Sequence, residues 1–543
     1  MPQLSDLEVL IVDCQATGAA PAGHLIEIGW ARVRTTAARV ESRLVRLPNG
    51  AGIPPAVTRV TGINHRVMRD AVDASVAARE LAQAAGHLDQ QPTPTVIHFA
   101  RFEQPFLERL TEESRVFDIV CTHAIACRLL PDLPRRGLRA LTGYFGRGVG
   151  ILRRSADHVD ATAFVWRELV RLLDAEGVST WADLRAWLSA PVRARRRVRR
   201  VWPMPRATRL AVPDVPGLYR FLRSSGDVLY VGKAASLHHR VNSYFQHQHG
   251  VSERMLEMLS QVRAVSFDVA PTALEAALLE PDEIKRHRPP YNIALTDDPE
   301  RRLWFSPPDL SERCGRPTSR CSVGPFPSAE TLDQFAALMH AHPRAVARDR
   351  WAPDTATFSA GCTRFRTAHP ELSRAGFDAQ QLLAVGTRLW REGRRDREAD
   401  EDAGAAPIGA PAWTPELVQR ALEDVVLRAA LARRRASWFC RLMNAAVMWR
   451  EPGATDFQLI VFDNGEITTR VTVGENATPP VPPGDGRTRA VCQQAMTVAR
   501  FDRLRVLTTE LKRLATSGAA FTVRWGVQRP VDAARLAVAL SWV

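Results

Sequence analysis

Gly217-Leu218-Tyr219-Arg220-Phe221-Leu222, then Ser224-Ser225-Gly226-Asp227, then Val228-Leu229-Tyr230-Val231-Gly232-Lys233: two short apolar runs rich in aromatic and branched residues flank a turn signal. That pattern predicts a β-hairpin. Just downstream, Ser236 is placed to cap a helix whose Leu237, Val241, Tyr244 and Phe245 fall at i, i+4, i+7 and i+8, with Arg240 flanking the stripe. A further strand is expected over 264–269. It leads into Thr272-Ala273-Leu274-Glu275, the spacing of a capping box that opens another helix. Glu280 stands on that helix and is followed directly by Pro281. A proline there removes one backbone donor and biases the preceding residue away from helical angles, so a kink at Glu280 is expected.

Around this segment lies a chain of 543 residues, about two to four times an ordinary domain, so several cores are expected. Its 45% hydrophobic and 24% charged content is that of a globular protein and excludes wholesale disorder. No apolar run approaches the roughly twenty residues that a bilayer span needs, and the first residues lack a basic stretch ahead of an apolar one. A soluble, cytoplasmic protein without a membrane partner is therefore expected, and eight scattered cysteines suit a reducing compartment. The net charge of +14 predicts attraction to polyanions such as nucleic acid. Only three basic residues, Lys233, Lys285 and Lys512, are lysines, so the arginine content reflects a general bias of composition and carries little weight by itself.

Upstream, strands are expected over 8–12, 24–33 and 95–98 and a helix over 156–172, an alternation that implies α/β layers. The first strand ends in Asp13-Cys14-Gln15-Ala16-Thr17-Gly18, and residues 13 and 15 of one strand share a face. Six arginines between Arg193 and Arg200 mark a basic tether, with Trp202-Pro203-Met204-Pro205 at its end.

Two resemblances follow from these motifs. The first segment, with Leu25-Ile26-Glu27-Ile28-Gly29, Ile53-Pro54-Pro55 and His98-Phe99-Ala100-Arg101-Phe102-Glu103, resembles the DEDDh exonuclease family, which includes proofreading subunits of bacterial replicative polymerases (DNA polymerase III epsilon). The resemblance implies an RNase H-like fold and a metal-assisted site at Asp13, Gln15, Glu103, His158 and Asp160, with Asp13 as a metal ligand and His158 as the base. Family members carry Glu at the position of Gln15, Asp at that of Glu103, and an Asp where Ala163 stands, so a degenerate site is expected. Asp160, one helical turn before Ala163, is a candidate substitute. The hairpin segment resembles the GIY-YIG nuclease family in the form found in the bacterial excision-repair nuclease UvrC and its shorter relative Cho. The match includes Tyr219, Tyr230-Val231-Gly232-Lys233, Arg240, Tyr244, Glu280 and Arg288-Pro289-Pro290-Tyr291-Asn292, and Gly324-Pro325-Phe326-Pro327-Ser328-Ala329 beyond them. It implies catalytic roles for Tyr219, Tyr230, Arg240 and Glu280, supporting roles for Lys233, Tyr244 and Asn292, and Mg²⁺ or Mn²⁺ held by Glu280. Taken singly, each of these residues reads as an ordinary core aromatic or a solvated helix charge.

The expected organisation is an α/β multidomain chain: an exonuclease-like domain over 1–180, a basic linker over 181–205, a small α/β GIY-YIG domain over 206–295 and a mixed helical and β region over 296–543. In that last region helices are expected over 329–340, 380–390 and 415–449, and a hairpin around Asp463-Asn464-Gly465. Cys314, Cys321 and Cys362 fit buried thiols better than a metal site. The expected function is hydrolysis of DNA phosphodiester bonds in nucleotide-excision repair, with a damage-recognition or loading protein as a candidate partner. Two alternatives stand beside it, a 3′–5′ exonuclease whose hairpin domain only binds, and a non-catalytic DNA-docking scaffold.

Overall fold

The structure, a computed structural model, describes residues 2–34, 39–86, 93–111, 117–148, 150–191, 201–246, 250–296, 303–306, 310, 312–326, 329–347, 352–372, 376–396, 413–451, 453–483, 489–527 and 530–532. The chain divides into two compact units, Met1–Val269 with Pro289–Asn292, and Ala270–Arg288 with Ile293–Val543.

The first unit opens with a five-stranded sheet of β1 (Val9–Ala16), β2 (Leu25–Val33), β3 (Glu41–Leu44), β4 (Thr93–Ile97) and β5 (Phe117–Cys121), in the order β3-β2-β1-β4-β5. Central β1 runs antiparallel to β2 and parallel to β4. Its continuous apolar run is what a strand covered on both faces requires. Val9 and Ile11 enter the core formed with the helix Ser155–Ala175, and Leu10 and Val12 enter the core on the opposite face. The strand extends past the expected end at 12, so Asp13 and Gln15 sit on it.

The linker expected over 181–205 is shorter. Residues Trp181–Ser189 form a helix, started by a capping box in which Thr180 accepts from the Asp183 backbone. Its Leu184 is buried, and the Trp181 indole packs edge-on against Trp166 and donates to Asp118. At the other end Met204 is buried in the next core and Trp202 packs on Phe245. Apolar anchors on both sides therefore draw most of the expected linker into the neighbouring cores, while the arginine run itself lies outside the described residues.

Next comes a three-stranded antiparallel sheet of β6 (Gly217–Leu222), β7 (Val228–Ala234) and β8 (Ala264–Val269), in the order β7-β6-β8. Gly226 takes the left-handed conformation that the β6–β7 turn needs. The helices Leu237–Gln246 and Glu253–Leu259 complete this part.

The second unit contains the helix Ala273–His287, capped by Thr272, whose hydroxyl accepts from the Glu275 backbone. The helix continues through Pro281. This helix packs on the helix Val498–Thr516. There Lys285 donates to Asp502 at 2.6 Å and Arg503 to Asp282 at 2.7 Å. A small sheet of β9 (Leu303–Phe305), β10 (Arg313–Cys314) and β11 (Val323–Phe326) follows, and then the helices Glu330–Met339, Thr355–Ala368, Ala379–Asp396 and Pro415–Leu442. A second five-stranded sheet has the order β14-β13-β12-β15-β16, with β12 (Ala445–Arg450), β13 (Phe457–Asp463), β14 (Glu466–Val473), β15 (Ala520–Trp525) and β16 (Val531–Asp532). The helix expected over 415–449 thus stops at Leu442. Residues Ala445–Trp449 are buried on both faces as the central strand, and a short apolar run has no periodicity that separates strand from helix. The hairpin at Asn464 and Gly465, both with positive φ, is present. Cys321 and Cys362 are buried, and no cluster of three metal-ligating side chains occurs among the described residues.

Asp502 is fully buried and Lys285 nearly so. Asp502→Ala is expected to cost about 3–5 kcal/mol, because it strands a buried ammonium, whereas Asp502→Asn should cost less. Urea unfolding of both variants, with equal losses, would refute this.

Candidate active sites

The pleat of the β6–β7 pair assembles the first site. Tyr219 stands opposite Gly232 and Phe221 opposite Tyr230, so these side-chain positions share one face of the sheet. The helix Leu237–Gln246 brings Tyr244 to the same place; its first turn is fixed by the His239 backbone donating to the Ser236 hydroxyl. The three phenol rings form a near-equilateral triangle with centroid separations of 6.2, 6.1 and 6.2 Å. Tyr219 and Tyr244 hydroxyls are 2.8 Å apart. The Arg240 guanidinium lies over the Tyr244 ring at 5.1 Å.

Burial, then the neighbouring Tyr244 and Tyr230 oxygens, push the Tyr219 phenol well above its ordinary pKa. Tyr219 therefore keeps its proton, while Tyr230 and Tyr244 remain half exposed. Burial works against the Arg240 charge, but the Tyr219 and Tyr244 oxygens outweigh it and hold the guanidinium cationic.

Gly232 is a functional residue that sequence reasoning quoted but did not interpret. A Cβ on it would lie 2.4 Å from the Tyr219 hydroxyl, so only glycine leaves room for that phenol. Asn292 acts on the same strand: its amide accepts from the Val231 N–H at 3.0 Å and donates to the Val231 carbonyl at 2.9 Å, clamping β7 beside Tyr230. Lys233 stands opposite Leu218, at an alternate position to Tyr230 and on the other face of the pleat. Glu280 is half exposed on the helix Ala273–His287 of the second unit. A single carboxylate completed by several waters is a donor set that suits Mg²⁺.

The second site is an open cavity of about 650 Å³ in the exonuclease-like part, lined by Asp13, Gln15, Glu103 and His158, and rimmed by Phe99 and Phe102. Its acidic groups are already engaged. Asp13 accepts from Gln15 Nε2 at 2.8 Å and lies 3.1 Å from His158 Nδ1, and Glu103 accepts from the Cys14 N–H at 3.2 Å. Burial, then repulsion from Asp13, raises the Glu103 carboxyl well above the usual carboxylate range. Burial disfavours the His158 cation, but the hydrogen bond and charge of Asp13 outweigh it, and its pKa is raised. Asp160 does not join them. It pairs with Arg147, so the expected substitution for an acidic group at Ala163 is not made: two residues past His158, about 200° around the helix, its side chain leaves the pocket. With both Asp13 oxygens engaged, the Glu103 carboxyl holding its proton more tightly than usual and an amide at position 15, this donor set does not fit a pair of divalent cations.

Two positioning residues were also quoted in the sequence without a role. Buried Glu27 accepts from Arg154 and from the Ser155 N–H at 2.9 Å, tying β2 to the start of the helix that carries His158. Gly29 makes that approach possible, since a Cβ there would meet the Ser155 hydroxyl at 2.8 Å. Phe99 has φ +62°, rare for an aromatic residue, and stacks on His123.

Residues 215–293 match the family model of the UvrC-like GIY-YIG domain, and this stretch of the chain is such a domain. A Mycobacterium tuberculosis protein named as a bifunctional exonuclease/endonuclease is 29% identical over 362 residues, 62% of this chain and 52% of its own. UvrABC system protein C of Zymomonas mobilis is 49% identical over 201 residues, 34% of this chain and 29% of that protein. The chain thus spans about half the length of the first of these relatives and less than a third of the second. Among solved structures, the magnesium-bound GIY-YIG N-terminal endonuclease domain of Thermotoga maritima UvrC is 33% identical, covering 16% of this chain and 94% of that domain, with a TM-score of 0.15. Exonuclease X in complex with 5′ overhanging duplex DNA is 20% identical over 31% of this chain and 93% of that one, with a TM-score of 0.25.

Two outcomes follow. Gly232→Ala should lower stability by about 1–3 kcal/mol, because the methyl group must displace the buried phenol; an unchanged melting temperature would show that the strand adjusts freely. Glu103 and His158 both hold protons more tightly folded than unfolded. Their stabilisation is complete below the unfolded values, roughly 4.3 and 6.5, and is lost as pH rises through the raised folded values. The wild-type chain should therefore lose more stability between pH 5 and pH 9 than Glu103→Gln does. Parallel urea midpoints for the two proteins would refute this.

Proposed function

We propose that this protein is a divalent-metal-dependent DNA endonuclease that nicks one strand in nucleotide-excision repair, with the exonuclease-like domain serving to hold DNA. The observation that carries the reading is the triangle of Tyr219, Tyr230 and Tyr244 beneath the Arg240 guanidinium, inside a UvrC-like GIY-YIG domain.

Hydrolysis of a phosphodiester needs a deprotonated water, a cation for the charge that grows on the phosphate, and relief of the leaving 3′ oxygen. In this reading Tyr219, which keeps its proton, orients the neighbouring phenols, and half-exposed Tyr230 takes the proton of the attacking water as its own hydroxyl proton passes through Tyr244 to bulk water. Arg240 binds a non-bridging phosphate oxygen. Lys233 adds positive charge for the strand, Tyr244 relays the proton and Asn292 keeps β7 in place. Glu280 would hold Mg²⁺ or Mn²⁺, which supplies Lewis-acid relief of the leaving oxygen.

The engaged carboxylates of the second pocket, and the exposed Phe99 and Phe102 on its rim, favour base stacking over cleavage there. The eight unbridged cysteines suit action in the cytosol, and the names of the UvrC relatives suggest a damage-loading partner.

On an end-labelled lesion duplex with Mg²⁺, internal nicks are expected. They should fall at least about a hundredfold, the loss of roughly 2.7 kcal/mol of transition-state stabilisation, in Tyr219→Phe, Arg240→Ala and Glu280→Ala. Asp13→Ala should nick normally. End trimming that disappears in Asp13→Ala would favour the exonuclease alternative, and binding without any cleavage would favour the scaffold.

A further inference from the structure

In the second unit, the helices Ala379–Asp396 and Pro415–Leu442 cross in direct contact at Gly386, where a Cβ would lie 2.1 Å from the Val426 carbonyl oxygen. Beyond this contact an open cleft of about 850 Å³ separates them. Arg388, Arg391, Arg433, Arg434 and Arg441 line the cleft, and among the described residues no carboxylate does. They make up a third of the lining, whereas arginine is about one residue in eight of the whole chain, so the bias in composition does not account for them.

Arg388 is neutralised by Glu371 and Glu392. Arg391, Arg433 and Arg441 are exposed and form no ion pair among the described residues. Two tryptophans complete the walls: Arg434 lies over Trp390 at 5.3 Å and Arg441 over Trp438 at 5.8 Å. Crowding of like charge continues behind the cleft, where burial and then Arg505 lower the affinity of Arg435 for its proton.

We propose that this cleft is a second nucleic-acid site, a groove that takes the backbone of a single DNA strand on its arginine forks with a base against a tryptophan face. Guanidinium groups match phosphate oxygens in pairs, and aromatic rings beside a basic track are how unpaired strands are held without sequence preference.

The test measures fluorescence anisotropy of a labelled oligothymidylate with the full chain in EDTA, so the result is independent of whether the tyrosine site cuts. The triple variant Arg391→Ala, Arg433→Ala, Arg441→Ala removes exposed side chains only, and an unchanged melting temperature confirms its fold. Its affinity should fall at least about tenfold. The slope of log K against log salt should become shallower by about 2, from three lost phosphate contacts at ~0.7 each. Unchanged affinity and slope would overturn the proposal. So would an equal loss on a blunt duplex, or binding of phosphatidylglycerol vesicles through these three arginines with no loss on the oligonucleotide.

Discussion

The candidate endonuclease site depends on one tight fit, the Tyr219 phenol lodged against the bare backbone of Gly232. The ring is fully buried, yet its hydroxyl has a partner in Tyr244, so burial does not leave an unsatisfied polar atom. Because the hydroxyl is desolvated and surrounded by other phenols, its proton is held firmly. Arg240 contributes both charge and packing, since the guanidinium covers the Tyr244 ring while its own charge is supported by the phenol oxygens. Asn292, bonded to both backbone groups of Val231, keeps the strand from slipping, and a one-residue slip would turn Tyr230 to the other face.

The exonuclease-like pocket shows the opposite economy of charge. Four polar groups converge there, but they satisfy one another: Gln15 and His158 occupy the two oxygens of Asp13, and Glu103 turns to the Cys14 amide. An acid in place of Gln15 would repel Asp13 and require a cation; the amide removes that requirement. What remains is a shaped cavity with two exposed aromatic side chains at its mouth, held in place by the buried Glu27 and its partners Arg154 and Ser155.

Much of this was legible in the sequence because it is local. The alternation around Tyr219 and Tyr230, the cap at Ser236 and the Asn-Gly turn at Asn464 each depend on residues within a few positions of one another. The continuous apolar run before Asp13 likewise marked a strand covered on both faces. Errors arose where long-range packing overrode a local rule. Ala445–Trp449 leaves the helical pattern because strands β13 and β15 lie on either side to receive it. Asp160 shares a helix with His158, but Arg147 draws it away from the pocket.

The sequence by itself determined which chemistry is on offer: phenols, a guanidinium and a carboxylate in a recognisable order, and an amide where an acid would be needed. Residue identity and spacing along the chain are one-dimensional properties, and that order is read from them directly. Only the tertiary structure decided which phenol is buried and keeps its proton, that Gly232 is indispensable to it, and that two helices far from either motif part to expose a basic cleft. Proton affinity, close approach and surface charge are set by neighbours distant in sequence, and these come together only when the chain folds.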